Sequence, residues 1–203
     1  MAKILVLFAH PALEKSRVHS RMLYHIRKLK DLTINDLYEE YPDFDVDVER
    51  EQRLLLQHDV IIWQHPFYWY SAPALLKQWI DLVLEHGWAY GATGNALRGK
   101  KIFNALSLGG SKYAYDQTGL NRIPIRQYLA PFEQTARLCK MQYLAPYIID
   151  GTHKLTNETI EVLAHQYAGL IKRIQENLLT SVPIENVLYL NDLLGDVQTH
   201  QTL

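Results

Sequence analysis

The sequence predicts an α/β protein built on a doubly wound, five-stranded parallel sheet, on three observations. Short, continuous apolar runs recur along the chain, the mark of strands buried on both faces. Amphipathic stretches of helical period separate them. The segments with the most unusual side chains fall at the carboxyl ends of the apolar runs, where open α/β sheets place their ligands.

Lys3–Phe8 (KILVLF) is the first strand, and Arg17–Lys30 follows as a helix with Val18, Met22, Ile26 and Leu29 at helical spacing. Leu32–Leu37 reads as the second strand and Glu49–His58 as a helix. Asp59–Gln64 (DVIIWQ) is a third buried strand. Ala72–Glu85 is a helix with Pro73 in its first turn, where proline is tolerated. Lys101–Leu108 is the fourth strand, Ile123–Cys139 a helix, and Met141–Ile149 the fifth strand. Thr156–Gln175 is a helix that starts on a weak capping box, Thr156 to Thr159. Five strands alternating with helices imply a parallel sheet covered on both faces, with right-handed crossovers. Strand order 2-1-3-4-5 is the first candidate, and spacing alone also allows other doubly wound orders. Residues 1–179 make up this domain. Residues 180–203, with Pro183 and then VLYLNDLL, are expected to be an extension that packs on the body or on a second subunit.

The chain has 203 residues, enough for one domain with a real core. Its 21 Lys plus Arg against 22 Asp plus Glu leave a net charge of -1, which asks for no nucleic acid. The same near-neutrality argues against a pure electron carrier of the strongly acidic kind. Local charge is less even: residues 36–51 hold eight acids against Arg50 alone, and solvated helix faces and turns are the expected explanation. The single cysteine, Cys139, allows no intrachain disulfide and has the apolar neighbours of a buried thiol. The first residues enter an apolar run with no signal-peptide pattern, and no apolar stretch nears the roughly 18 residues of a membrane helix. A cytoplasmic protein is the expectation.

Three loops carry candidate chemistry. Ala9-His10-Pro11 leads to Ser16-Arg17-Val18-His19 at the head of a helix, whose free N–H groups and positive dipole end suit a phosphate. Ser16 can donate its hydroxyl, and His10 or Arg17 can add charge-assisted bonds; a plain N-cap at Ser16 and a packed loop residue at His10 are the alternatives. No Gly-x-Gly-x-x-Gly and no P-loop is present, which argues against ATP or a Rossmann-bound dinucleotide. The second loop is His65-Pro66-Phe67-Tyr68-Trp69-Tyr70-Ser71-Ala72-Pro73. Its aromatic faces and backbone N–H groups suit a planar heteroaromatic ring; an aromatic plug or a dimer contact is the alternative. The third is Ser107-Leu108-Gly109-Gly110-Ser111, followed by Tyr113 and Tyr115, where paired glycines let backbone approach a ligand closely. The nine histidines show no metal-ligand spacing and no serine lies in a Gly-x-Ser-x-Gly elbow.

Pro66 to Asp81 (PFYWYSAPALLKQWID), together with Ala9-His10-Pro11 and Ser107-Leu108-Gly109-Gly110, resembles the NAD(P)H:quinone oxidoreductase family with the flavodoxin-like fold, over roughly residues 3–175. A narrower resemblance runs through Tyr41-Pro42-Asp43-Phe44, Glu51-Gln52, Trp63-Gln64-His65-Pro66, His86-Gly87-Trp88-Ala89-Tyr90-Gly91 and Leu120-Asn121-Arg122. These segments are similar to the ancillary subunits of bacterial glutathione-regulated potassium-efflux systems. The resemblance implies the 2-1-3-4-5 order and an FMN held against His10, Ser16, Arg17, Val18 and His19, then Pro66, Phe67, Tyr68 and Trp69, then Ser107, Leu108, Gly109 and Gly110. Backbone donors of the Gly-Gly turn, aimed at the N1/C2=O edge of the flavin, would stabilise its negative charge. Tyr115 matches, by spacing, a catalytic tyrosine that lies over the flavin. The histidine that accompanies that tyrosine has no match, Asn121 being nearest, and position 19, commonly Asn in the family, is His. The activity implied is hydride transfer from NAD(P)H and two-electron reduction of a quinone, in a homodimer. The alternative implied is a regulatory subunit on the cytoplasmic side of a potassium/proton antiporter, which would bring the protein to the inner face of the cell membrane.

Overall fold

The computed structural model describes residues 1–178 and 187–194. In chain order its elements are β1 (Ile4–Phe8), α1 (Arg17–Ile26), β2 (Leu32–Asp36), a one-turn α2 (Leu37–Glu40), α3 (Val48–Gln57), β3 (Val60–Pro66), α4 (Ala74–Val83) and β4 (Lys101–Ser107). They continue with α5 (Ile125–Tyr128), α6 (Ala130–Leu138), β5 (Gln142–Tyr143), β6 (Tyr147–Ile149) and α7 (Asn157–Gln175). The sheet runs β2-β1-β3-β4-β5, with β6 also on β4, and every pairing is parallel. Every residue of β1 and β3 is buried, as continuous apolar runs require.

Alternation along the strands divides the core. Ile4, Val6 and Phe8 face α1 and α7; Leu5, Leu7 and Trp63 face α3, α4 and α6. Val18, Met22, Leu23 and Ile26 line the buried stripe of α1, each side chain contributing roughly 1.5–3 kcal/mol by leaving water. Cys139 is buried in the second layer, and burial pushes its thiol up to about 11.

Three expectations are revised. The fifth strand is two short pieces rather than Met141–Ile149, because Pro146 has no N–H to give to a ladder. In its place residues 187–194 close the sheet margin. Leu190 N–H donates to the Pro146 carbonyl at 2.9 Å, and Asn191 pairs with both Ile148 backbone groups at 2.9 and 2.8 Å. The helix expected over 123–139 is broken into α5 and α6, since Pro131 cannot donate to the turn before it. The acidic segment is not wholly solvated. Asp36 and Asp47 cap α2 and α3, and Glu51 is completely buried. The Glu51 carboxylate accepts from Asn35 Nδ2, Tyr41 OH, Arg50 and Trp79 Nε1, which satisfies a charge that burial alone would make costly.

Candidate functional site

The carboxyl ends of β1, β3, β4 and β6 surround an open cleft of about 540 Å³. Each of the three loops singled out in the sequence reaches it, and a fourth joins them.

At the β1 end, Ser16 caps α1 by accepting from His19 N–H at 3.1 Å. The first helical turn leaves the N–H groups of Arg17 and Val18 without an intrahelical acceptor, beside the cleft. The two side chains expected to add charge, Arg17 and His10, both have partners within the protein. The Arg17 guanidinium is held by Asn157 Oδ1 (2.8 and 3.2 Å) and the Leu155 carbonyl (2.8 Å), at the start of α7. His10 Nδ1 accepts from Ala12 N–H at 3.1 Å, and burial lowers the ring's pKa against a smaller opposing pull from Glu14, so His10 is a neutral ring protonated on Nε2. Lys15 and Arg17 are the cationic residues that line this end. This end of the cleft therefore presents backbone donors, the Ser16 hydroxyl, the Lys15 ammonium and the partly engaged Arg17 guanidinium.

At the β3 end, Pro66, Phe67 and Tyr68 line the cleft. Phe67 is buried edge-on against Tyr115 and Tyr128. Trp69 lies outside the lining and is 92% exposed. It and Tyr70 form the tip of a tight turn with φ of 49° and 64°, a left-handed pair unusual for bulky residues. Tyr70 stacks on Tyr128, and its hydroxyl donates to Asn121, which does not line the cleft.

At the β4 end, Ser107, Gly109 and Gly110 line the cleft, whereas Leu108 is fully buried and continues the sheet pairing through Ile149 and Thr152. A Cβ on Gly109 would stand 2.7 Å from His153 Nε2, and one on Gly110 3.2 Å from the Tyr115 ring. The two glycines thus keep a backbone face bare between two side chains. Tyr115 lines the same wall; burial, reinforced by Tyr70 and Tyr128, raises its pKa and keeps the phenol protonated.

Beneath the floor lies His19, also outside the lining. It is fully buried, with Nε2 2.8 Å from Ser107 Oγ and Nδ1 3.3 Å from Gln64 Nε2.

A family profile described as flavodoxin-like fold matches residues 2–171. The chain belongs to that family. It is 47% identical over 166 residues to the glutathione-regulated potassium-efflux system ancillary protein KefG of Shigella flexneri, covering 82% of this chain and 91% of that one. Among solved structures, general stress protein 14 of Treponema denticola, in complex with FMN, superposes with a TM-score of 0.82 at 38% identity, covering 85% of this chain and 99% of that one. An NADPH-quinone reductase from P. pentosaceus gives 0.75 at 33% identity, with 85% and 97% covered.

As a flavodoxin-fold chain it uses one loop that sequence reasoning missed. Thr152 and His153 line the cleft from the turn after β6, zipped to the Gly-Gly loop by Thr152 N–H to Leu108 O and Gly151 N–H to Gly110 O, both 3.0 Å. The signal was available: Gly151-Thr152-His153 follows the last strand at its carboxyl end, the same rule that picked out the other three loops. Ala12 and Lys15 were missed as interior positions of a loop read only at its two ends.

Proposed function

We propose that this chain binds FMN in the cleft and is an NAD(P)H:quinone oxidoreductase. The observation that carries the reading is the cleft's division of labour: a helix N-terminus with Lys15 at one end, and bare Gly109–Gly110 backbone between Tyr115 and the Phe67–Tyr68 wall at the other. That pairing fits a phosphate joined to a flat ring. Backbone N–H of Arg17 and Val18, Ser16 and Lys15 would hold the phosphate; Pro66 to Tyr68 and Gly109–Gly110 would hold the ring. The chemistry FMN supplies is acceptance of a hydride from NAD(P)H and its delivery to a two-electron acceptor such as a quinone. Tyr115, kept protonated, is the donor positioned to hydrogen-bond a substrate oxygen on that wall. The FMN-bound relative and the NADPH-quinone reductase support the reading. Purified protein should be yellow, or turn yellow on adding FMN, and oxidise NAD(P)H in the presence of a quinone. Colourless protein that takes up no FMN refutes it.

A second role is favoured by the KefG relative and by the exposed aromatic turn. Trp69, Tyr70 and Tyr113 leave ring surface exposed, as does Tyr68, which lines the cleft. That surface is where a second copy, giving the expected homodimer, or the cytoplasmic side of an antiporter would dock. Trp69→Ala should then weaken self-association in sedimentation, or co-purification with the antiporter, while FMN binding is kept. Unchanged association in both assays removes the turn from either interface.

A further inference from the structure

Two buried histidines stand under the cleft, and hydrogen bonding assigns them opposite tautomers. His65 Nδ1 lies 2.9 Å from the Pro66 carbonyl, a group that can only accept, so Nδ1 carries the proton. Its Nε2 then accepts from Asn104 Nδ2 at 3.0 Å, and Asn104 Oδ1 accepts from the Tyr143 hydroxyl at 2.5 Å. The chain of donors runs from a phenol, through an amide, through a neutral imidazole, to the backbone where the aromatic loop begins.

The neighbouring chain has the same parts in the same order. Tyr167 is fully buried and its hydroxyl donates to Gln64 Oε1 at 3.0 Å. A buried phenol proton needs an acceptor, so the oxygen of the amide faces Tyr167 and the Nε2 group faces His19 Nδ1. His19 is neutral, since burial and the nearby His10 and His65 hold its pKa well below the ordinary value. With Nδ1 accepting, Nε2 carries the proton and donates to Ser107 Oγ. One Ser107 lone pair is thereby taken by His19, so the Ser107 proton cannot point at His19 and is left for the cleft the residue lines.

We propose that His19 is a positioning residue: the relay Tyr167–Gln64–His19 fixes the Ser107 hydroxyl as a hydrogen-bond donor to the ligand in the cleft. Ser107 is thus a donor set by residues one and two layers beneath it, not a rotor that adapts. This rests on the FMN reading above for the identity of the ligand, but the polarity of the relay does not.

The direct test is the tautomeric state of His19 in 15N-labelled protein, read from long-range proton–nitrogen correlations with and without FMN. The expected result is Nε2–H at His19 and Nδ1–H at His65 in one spectrum. A proton on Nδ1 of His19 overturns the relay. A protein that takes up no FMN instead sinks the proposed function, and the tautomer still decides the relay by itself.

Variants test what the polarity does. Tyr167→Phe frees the Gln64 amide to turn over, and should shift His19 toward Nδ1–H and weaken FMN binding by about 2- to 10-fold, the range of one hydrogen bond. The loss should vanish when Ser107 is already Ala, because the two changes act on one donor. An equal loss in both backgrounds assigns Tyr167 a packing role only and overturns the proposal. His19→Gln, which can place an amide N–H near the Nε2 position, should keep affinity close to wild type, whereas His19→Leu should lose it. Should the Tyr167 or His19 variants not fold, the tautomers of the wild-type protein alone decide between a relay and simple packing.

Discussion

At the scale of single residues, the cleft is shaped as much by what Gly109 lacks as by what its neighbours present. Gly109 has no left-handed backbone to protect, so alanine there is a question of space alone. Its Cβ would meet His153 Nε2 at 2.7 Å. His153 is exposed and can swing aside, so Gly109→Ala should cost under about 1 kcal/mol of stability. The methyl group and the displaced ring would enter the site, and FMN affinity should fall about tenfold, the equivalent of 1.4 kcal/mol. Flavin titration beside a melting curve separates the two effects. Glu51 is the opposite case, a residue remote from the cleft whose loss is structural. Glu51→Ala would leave the buried donors of Asn35, Tyr41 and Trp79 without their acceptor, and should destabilise the fold by about 3–5 kcal/mol in urea unfolding. The affinity of the protein that remains folded should be unchanged.

At the scale of elements, the start of α1 does two jobs that one pair of substitutions can divide. Ser16 caps the helix, and its loop would supply the phosphate end of the proposed FMN site. Ser16→Ala should lose about 1 kcal/mol of stability through the missing cap. Ser16→Asp keeps a capping oxygen and suits the helix dipole, so stability should stay within about 0.5 kcal/mol of wild type. Its carboxylate would stand in the proposed phosphate site, so FMN affinity should fall further than in Ser16→Ala. A loss of affinity that merely follows stability would show that no anion sits there. Elements of this kind were legible in the sequence because their signals are local. The runs KILVLF and DVIIWQ are strands by composition, and Ser16 announces a helix start beside a strand end. What stayed hidden depends on partners far along the chain. Met141–Ile149 reads as one strand although Pro146 interrupts it, and nothing local says that Asn191 stands in for the missing ladder. Glu51 looked like one acid among eight because Asn35, Tyr41 and Trp79 meet it only in the fold. His19 is placed against FMN by the resemblance, and its burial rests on Gln64 and Ser107, which meet it only in the fold.

At the scale of the whole molecule, the floor of the cleft makes stability depend on pH. His10, His19 and His65 are all held below the ordinary histidine pKa of 6.5, each chiefly by burial, and His65 is pushed down to about 4. Above pH 6.5 these rings are neutral in both the folded and the unfolded chain, so they cost nothing. As pH falls below 6.5, the unfolded chain takes up protons that the folded chain refuses, and the balance moves toward unfolding. For His65 the loss accumulates until pH passes its folded value of about 4, by when it amounts to about 3 kcal/mol. His19 and His10 act in the same sense. Asp36, whose pKa burial raises, works the other way and offsets part of the fall. Urea unfolding at pH 7.5, 6 and 5 should therefore give a steadily lower midpoint. His65→Gln should start lower at pH 7.5, having lost a fitted ring, and fall less steeply. A flat profile in the wild type would mean that the buried rings accept protons in the folded state, and the neutral donors assigned to the cleft floor would go with it.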